Sequence, residues 1–207
     1  MEELTINDCN KFLKEGVLTK SFLQTELIVE KVLNIYKYKI KENPNYTKID
    51  ALMKWIHYSL NIQSSQEEKK KVKFKRTAKE IWESGFASGC TDYAIIFSTL
   101  ARQIGIPTTC LHTAEYNWIR KLQNNENHAI HIGHSFCECF YDQKWILVDP
   151  SFRKIEFKYD SKKITLSYDV LNTNIFIPYY RGLDLGKKQS ISEHNADMDK
   201  GCSKLKL

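Results

Sequence analysis

No stretch of this chain is both long and apolar enough to cross a membrane, and Met1-Glu2-Glu3-Leu4-Thr5 has neither the basic nor the apolar region of a secretion signal. A cytoplasmic protein without membrane contact is expected. Cysteine is sparse, with 6 in 207 residues. That is too thin for a disulfide scaffold, and a thiol protein with no export signal is expected to keep its cysteines reduced. No internal repeat is present, which excludes a repeat array. What remains suits one soluble domain, since 42% hydrophobic and 12% aromatic residues can bury a substantial core. The net charge is +6, much of it in the run Lys69-Lys70-Lys71-Val72-Lys73-Phe74-Lys75-Arg76. That run reads as a solvated linker, and no nucleic-acid partner is expected.

The chemistry concentrates in Ser88-Gly89-Cys90-Thr91-Asp92-Tyr93-Ala94. A tight glycine turn there runs into an apolar stretch in which Ala94, Phe97, Leu100, Ala101 and Ile104 recur at helical spacing. Gly105-Ile106-Pro107 then stops the helix. Cys90 is thus placed at a helix N-terminus, where the positive end of the macrodipole and unpaired backbone N–H groups favour the thiolate, the nucleophilic form. An isolated cysteine is more often a small buried hydrophobe, so position alone does not make Cys90 catalytic.

A thiolate nucleophile needs an acid/base group and something to orient it. His134-Ser135-Phe136-Cys137-Glu138-Cys139-Phe140 alternates like a strand, Tyr141-Asp142-Gln143-Lys144 is turn-like, and Trp145-Ile146-Leu147-Val148 forms a second strand ending at Asp149-Pro150. If Asp142-Gln143 is a two-residue loop, Tyr141 faces Lys144 and Phe136 faces Asp149. His134 then lies diagonal to Asp149 on the same face, about 7–8 Å away between backbones. A register slip of one residue would put the two on opposite faces.

These residues carry a resemblance. Gly89-Cys90-Thr91-Asp92-Tyr93-Ala94 through Ala101-Arg102-Gln103-Ile104-Gly105-Ile106-Pro107-Thr108, then Gly133-His134-Ser135-Phe136, then Trp145-Ile146-Leu147-Val148-Asp149-Pro150-Ser151, resembles the core of the transglutaminase-like superfamily. Leu111-His112-Thr113, Trp118-Ile119 and Gly182-Leu183-Asp184 are similar to a prokaryotic-type branch of cysteine peptidases in it. The resemblance covers residues 77 to 185. It implies a papain-like fold with Cys90 as nucleophile, His134 as acid/base, Asp149 as orienting carboxylate, and no cofactor. Ser135 after His134, and Cys137 and Cys139 on a strand that usually carries aliphatics, depart from the family pattern.

The remaining segments read as architecture. One helix is predicted from about Ser21 to Ile40 with Leu23, Leu27, Val32 and Tyr36 on one side, and a second from about Ile49 to Leu60 with Leu52, Met53, Ile56 and Leu60 on a stripe. His57 in the second helix reads as a packed histidine. Residues 62 to 76 read as a long surface loop. Thr77-Ala78-Lys79-Glu80 matches a capping box opening a short helix through Trp82 that Gly85 ends. Thr108 to His112 reads as a strand, residues 117 to 127 as a polar excursion, and Ile155–Tyr159 with Ile164–Tyr168 as a further hairpin. Helices preceding strands give an α+β class with an antiparallel sheet. Residues 1–76 are expected to belong to the same domain as the 77–185 core, and 186–207 to be a mobile tail with Cys202 exposed.

A metal site is the competing reading of His128, His131, His134, Cys137 and Cys139. On an extended strand His131 and His134 point apart, Cys137 and Cys139 face away from His134, and no Cys-x-x-Cys pair is present, so no metal is expected. The expected activity is acyl transfer through a Cys90 thioester, with a peptide or protein substrate. Water as acceptor gives a cysteine protease or amidase acting on peptide or isopeptide bonds, the favoured outcome for a bare core. A lysine acceptor gives a crosslinking acyltransferase, and a non-catalytic peptide-binding module on the same fold is the reading from another class.

Overall fold

Side-chain caps set most of the helix starts. The computed structural model describes residues 2–126, 130–162, 166–167, 175–184, 186 and 188–205. After a short α1 (Cys9–Phe12) come α2 (Thr25–Glu42), α3 (Lys48–Ser59), α4 (Gln66–Val72), α5 (Ala78–Ser84) and α6 (Cys90–Gln103). Thr47 with Asp50, Ser65 with Glu68, and Thr77 with Glu80 each form a capping box at the start of α3, α4 and α5. Each box satisfies orphan helical N–H groups and contributes about 1 kcal/mol. Gly85 closes α5 in the left-handed region at φ 67°, which explains why glycine stands there.

Two helical expectations need correction. The buried side of α2 passes through Thr25, Ile28 and Val32, while Leu27 is 53% exposed and Leu23, in the turn ahead of the helix, 93%. The stripe is rotated because residues 25, 28 and 32 share the helix face that meets α3 and α6. Residues 62 to 76, expected as a loop, contain α4, whose signal was the Ser65 box. The basic run is also not wholly solvated, since Arg76 is buried.

Helix α6 is the spine of the core. It buries every residue from Ala94 to Arg102 and packs against α2, α3, α5 and two strands. Those strands belong to a sheet of β1 (Thr108–Glu115), β2 (Gly133–Tyr141), β3 (Lys144–Asp149), β4 (Lys154–Glu156), β5 (Leu166–Ser167) and β6 (Ile175–Gly182). The sheet order is β4-β3-β2-β1-β6-β5 with antiparallel pairing throughout. The class is therefore α+β. One sheet face puts Cys137, Cys139, Ile146 and Val148 into the helical core. The other stacks Leu111, Phe136, Leu147 and Phe176.

The β2–β3 turn is the tight two-residue loop that the site required. Tyr141 pairs with Lys144, and Asp142 and Gln143 both take positive φ, 50° and 64°, as a type I′ turn demands. The second expected hairpin does not form. β4 pairs with β3 and β5 with β6, at opposite edges of the sheet. Each short strand finds its backbone partners on an existing sheet, a better arrangement than an isolated hairpin of marginal stability. Ile164 and Tyr168 lie outside the described residues.

Residues 117 to 123 are helical within α7 (Tyr116–Gln123), capped by Glu115, and bury Trp118 and Ile119. The expected mobile tail instead contains α8 (Ile191–Cys202). Met198 and Cys202 pack with Trp118, Ile119, Ala114 and Ile177, so Cys202 is buried and not exposed. The apolar face that holds α8 down comes largely from α7 and β6, elements distant in sequence. Among the described residues no helix is long and apolar enough to cross a membrane.

Candidate active site

Cys90 is the first residue of α6, directly after the N-cap Gly89. Gly89 has φ 164° and ψ −168°, which is extended backbone and not the expected tight turn. A helix start leaves its first N–H groups without helical acceptors, and the Cys90 N–H is among them. The segment before it is tied down by Asp92, whose Oδ2 accepts from the Ser88 N–H at 2.7 Å and from the Ser88 hydroxyl at 2.6 Å. The same oxygen is paired with Arg76 Nη2. Arg76 also donates to Ser84 Oγ at 2.6 Å and to the Phe86 carbonyl at 2.9 Å. Neither Arg76 nor Asp92 was predicted to matter. The Arg76 signal lay hidden in the basic run, and a carboxylate in the first turn after a cysteine was the readable sign for Asp92.

Strands β2 and β3 supply the second and third groups. His134 Nε2 lies 2.7 Å from Asp149 Oδ2, and both residues are buried. The other carboxylate oxygen, Oδ1, accepts from the Ser151 N–H at 2.9 Å, the Ser151 hydroxyl at 2.6 Å and the Phe152 N–H at 3.1 Å. Asp149 is thus fixed by the turn that Pro150 begins, and it fixes His134 in turn. The imidazole packs edge-on against Phe136 at 4.6 Å between ring centres. With Nε2 taken by Asp149, Nδ1 is the ring nitrogen left to face Cys90.

The electrostatics of the pair follow from this arrangement. Burial by itself drives the Cys90 thiol up, but the His134 charge and hydrogen bonds from His134 and Ser135 outweigh it, and the thiol is lowered to about 7. Burial likewise drives His134 down, yet the facing Cys90 and Asp149 outweigh burial and raise the imidazole to about 10. Between those values the favoured state is thiolate facing imidazolium. Cys90 remains partly exposed.

Ser135 is the residue that the sequence marked only as a departure from pattern. Its N–H and hydroxyl help to lower the Cys90 thiol, and its Oγ lies 3.1 Å from Thr91 Oγ1 and 3.3 Å from His112 Nδ1. Its side chain points to the α6 side of the sheet, opposite to Phe136, so strand alternation could have placed it. A cavity of about 150 Å3 opens at Cys90, His134 and Ser135. Lys73 and Phe74 also line it, together with His194 and Met198 of α8. Phe74 stacks on His194 at 3.6 Å.

Of the other candidates, His57, Trp82 and Cys137 fall away from the site, while His131 lines its cavity. His57 bonds the Pro150 carbonyl at 2.8 Å and stacks on Tyr93, a packed histidine that anchors the turn after Asp149. Trp82 packs against Phe22. Cys137 lies against Ser98 and the Ala94 carbonyl, on the face away from His134. His131 pairs with Asp199 at 2.9 Å. His128 lies outside the described residues. Among the described residues no group of three or more His, Cys, Asp or Glu side chains could hold a metal ion.

Comparison with known proteins returns no match among curated proteins. A solved structure described as "a Putative Cysteine Protease from Cytophaga hutchinsonii" aligns with 86% of this chain at 17% identity and a TM-score of 0.45. The alignment covers 47% of that protein, so this chain spans about half its length. The family model of the transglutaminase-like superfamily matches residues 34–150, a span that begins inside α2, upstream of residue 77, and contains Cys90, His134 and Asp149. On that match, over more than half its length, the chain belongs to the transglutaminase-like superfamily.

Proposed function

We propose that the protein is a thiol hydrolase that cleaves amide, peptide or isopeptide bonds through a Cys90 thioester. The observation that carries this reading is the line Cys90–His134–Asp149, in which the imidazole lowers the facing thiol and bonds a buried carboxylate, 2.7 Å away, through Nε2. In this mechanism the Cys90 thiolate attacks the substrate carbonyl carbon, and negative charge moves to the carbonyl oxygen, where the Cys90 N–H at the start of α6 receives it. The tetrahedral species collapses, the C–N bond breaks, and the leaving nitrogen takes the proton from imidazolium His134. Neutral His134 then removes a proton from water, whose oxygen attacks the thioester. Release of the acid restores thiolate and imidazolium. Asp149 holds the ring orientation throughout and stays ionised.

Iodoacetamide labelling at neutral pH tests the reading. Cys110, Cys137, Cys139 and Cys202 are buried, and Cys9, the other partly exposed thiol, is pushed up by burial and by Asp8. Cys90 should therefore be alkylated first, and pre-alkylated protein should be inert toward fluorogenic peptide and isopeptide substrates. Labelling of Cys9 at the same rate as Cys90 would remove the activated thiol and favour a peptide-binding module. Adding a fluorescent primary amine to the reaction separates the acceptors: hydrolysis yields free acid, crosslinking yields an amine-tagged product.

A further inference from the structure

A second cavity, of about 510 Å3, adjoins the one that holds Cys90. The two share His112, Tyr179 and His194 as a common wall. Three lysines, Lys188, Lys200 and Lys204, stand around the wider cavity against a single carboxylate in its lining, Asp197. Lys188 is paired with that carboxylate. Among the described residues Lys200 and Lys204 have no carboxylate partner, and Lys73, in the lining of the catalytic cavity beside His194, adds a fourth cation.

The bland account is that cations collect at the C-terminal end of α8, where they complement the macrodipole. That covers Lys200, in the last turn. It does not cover Lys188, ahead of the helix, or Lys73, from a different part of the chain. The two histidines of the common wall add hydrogen-bonding groups and no charge at neutral pH. Burial, with Lys73 and Lys188 nearby, lowers His194 to about 4, and burial with His194 and Lys188 holds His112 well below its ordinary value. The wider cavity thus offers aromatic walls, neutral polar groups and uncompensated positive charge.

We propose that this cavity is a substrate subsite for a carboxylate, so that the polypeptide presented to Cys90 is acidic where it runs past His194. The proposal rests on the reading of Cys90 and His134 as the reacting site. An acidic side chain entering the cavity faces Lys200 and Lys204 without having to displace an existing ion pair, and attraction falls as salt screens it.

The test uses the full chain with Cys90→Ala, so that binding is read without turnover, and two fluorescent ten-residue peptides, one alternating Gly and Glu and the other Gly and Gln. Fluorescence anisotropy at low salt should show the Glu peptide bound about tenfold tighter or better, a preference that shrinks several-fold at about 0.5 M salt. Lys200→Ala with Lys204→Ala should abolish it, and Lys200→Glu with Lys204→Glu should reverse it. Equal binding of the two peptides, or a Glu preference that survives both lysine double variants, overturns the subsite. Failure of the hydrolase reading is seen separately, as slow iodoacetamide labelling of Cys90 in the wild-type protein.

Discussion

Arg76 and Asp92 form a buried ion pair beneath the segment that carries Cys90. Asp92 Oδ2 gathers the Arg76 guanidinium, the Ser88 N–H and the Ser88 hydroxyl. Arg76 reaches on to Ser84 and Phe86. The approach to Cys90 is therefore fixed by charge and not only by packing. Arg76→Ala should cost about 3–5 kcal/mol of stability, since it strands a buried carboxylate. Urea unfolding of the variant checks this, and a midpoint equal to wild type would show that the pair is not what holds the segment.

Cys90→Ala is expected to abolish turnover while leaving the fold intact. The side chain is partly exposed at a helix start, so its loss should change stability by no more than about 1 kcal/mol. Turnover and thermal unfolding measured on the same preparation check it. A collapse of the melting temperature would assign Cys90 a packing role.

Asp149→Asn should lower kcat by about 10²–10⁴-fold with little change in KM, because the amide keeps the shape but no longer holds the imidazole in its orientation or supports its charge. Oδ1 can still accept from Ser151 and Phe152, so the turn should survive. Steady-state kinetics check the split between the two constants, and an unchanged kcat would exclude Asp149 from the chemistry.

The pH profile should be bell-shaped, with limbs that belong to the Cys90–His134 pair. On the acid side the rate rises as thiolate forms, near the lowered Cys90 value of about 7. On the alkaline side it falls as imidazolium loses its proton, near the raised His134 value of about 10. The window of activity lies between them.

His134→Ala removes the charge that lowers the thiol and leaves the burial that raises it. The pH at which iodoacetamide labels Cys90 should then move upward, past the roughly 8.5 of a free thiol. Labelling across pH on both proteins measures the shift, and superimposable curves would dissolve the pair.

The sequence by itself determined what local physics determines. The periodicity from Ala94 to Ile104, with Cys90 ahead of it and Gly105 behind, is that of α6, because a helix start and stop depend on nearby residues. The alternation from His134 to Phe140 and the two-residue turn at Asp142-Gln143 set the register, and register alone put His134 on the face of Asp149. The capping box at Thr77 opens α5 as its sequence predicts, and the boxes at Thr47 and Ser65 carry the same local signal at the starts of α3 and α4.

Tertiary structure decided whatever required a distant partner. A basic run does not say which of its members will meet a buried carboxylate, and only the packing of α6 brought Asp92 to Arg76. A short β-rich stretch does not choose between a hairpin and an open sheet edge, and Lys154–Glu156 and Leu166–Ser167 took opposite edges. The polar C-terminal segment became α8 because Trp118, Ile119 and Ile177 offered Met198 and Cys202 an apolar surface. Burial depends on what the rest of the chain leaves uncovered, and no window of residues contains that information.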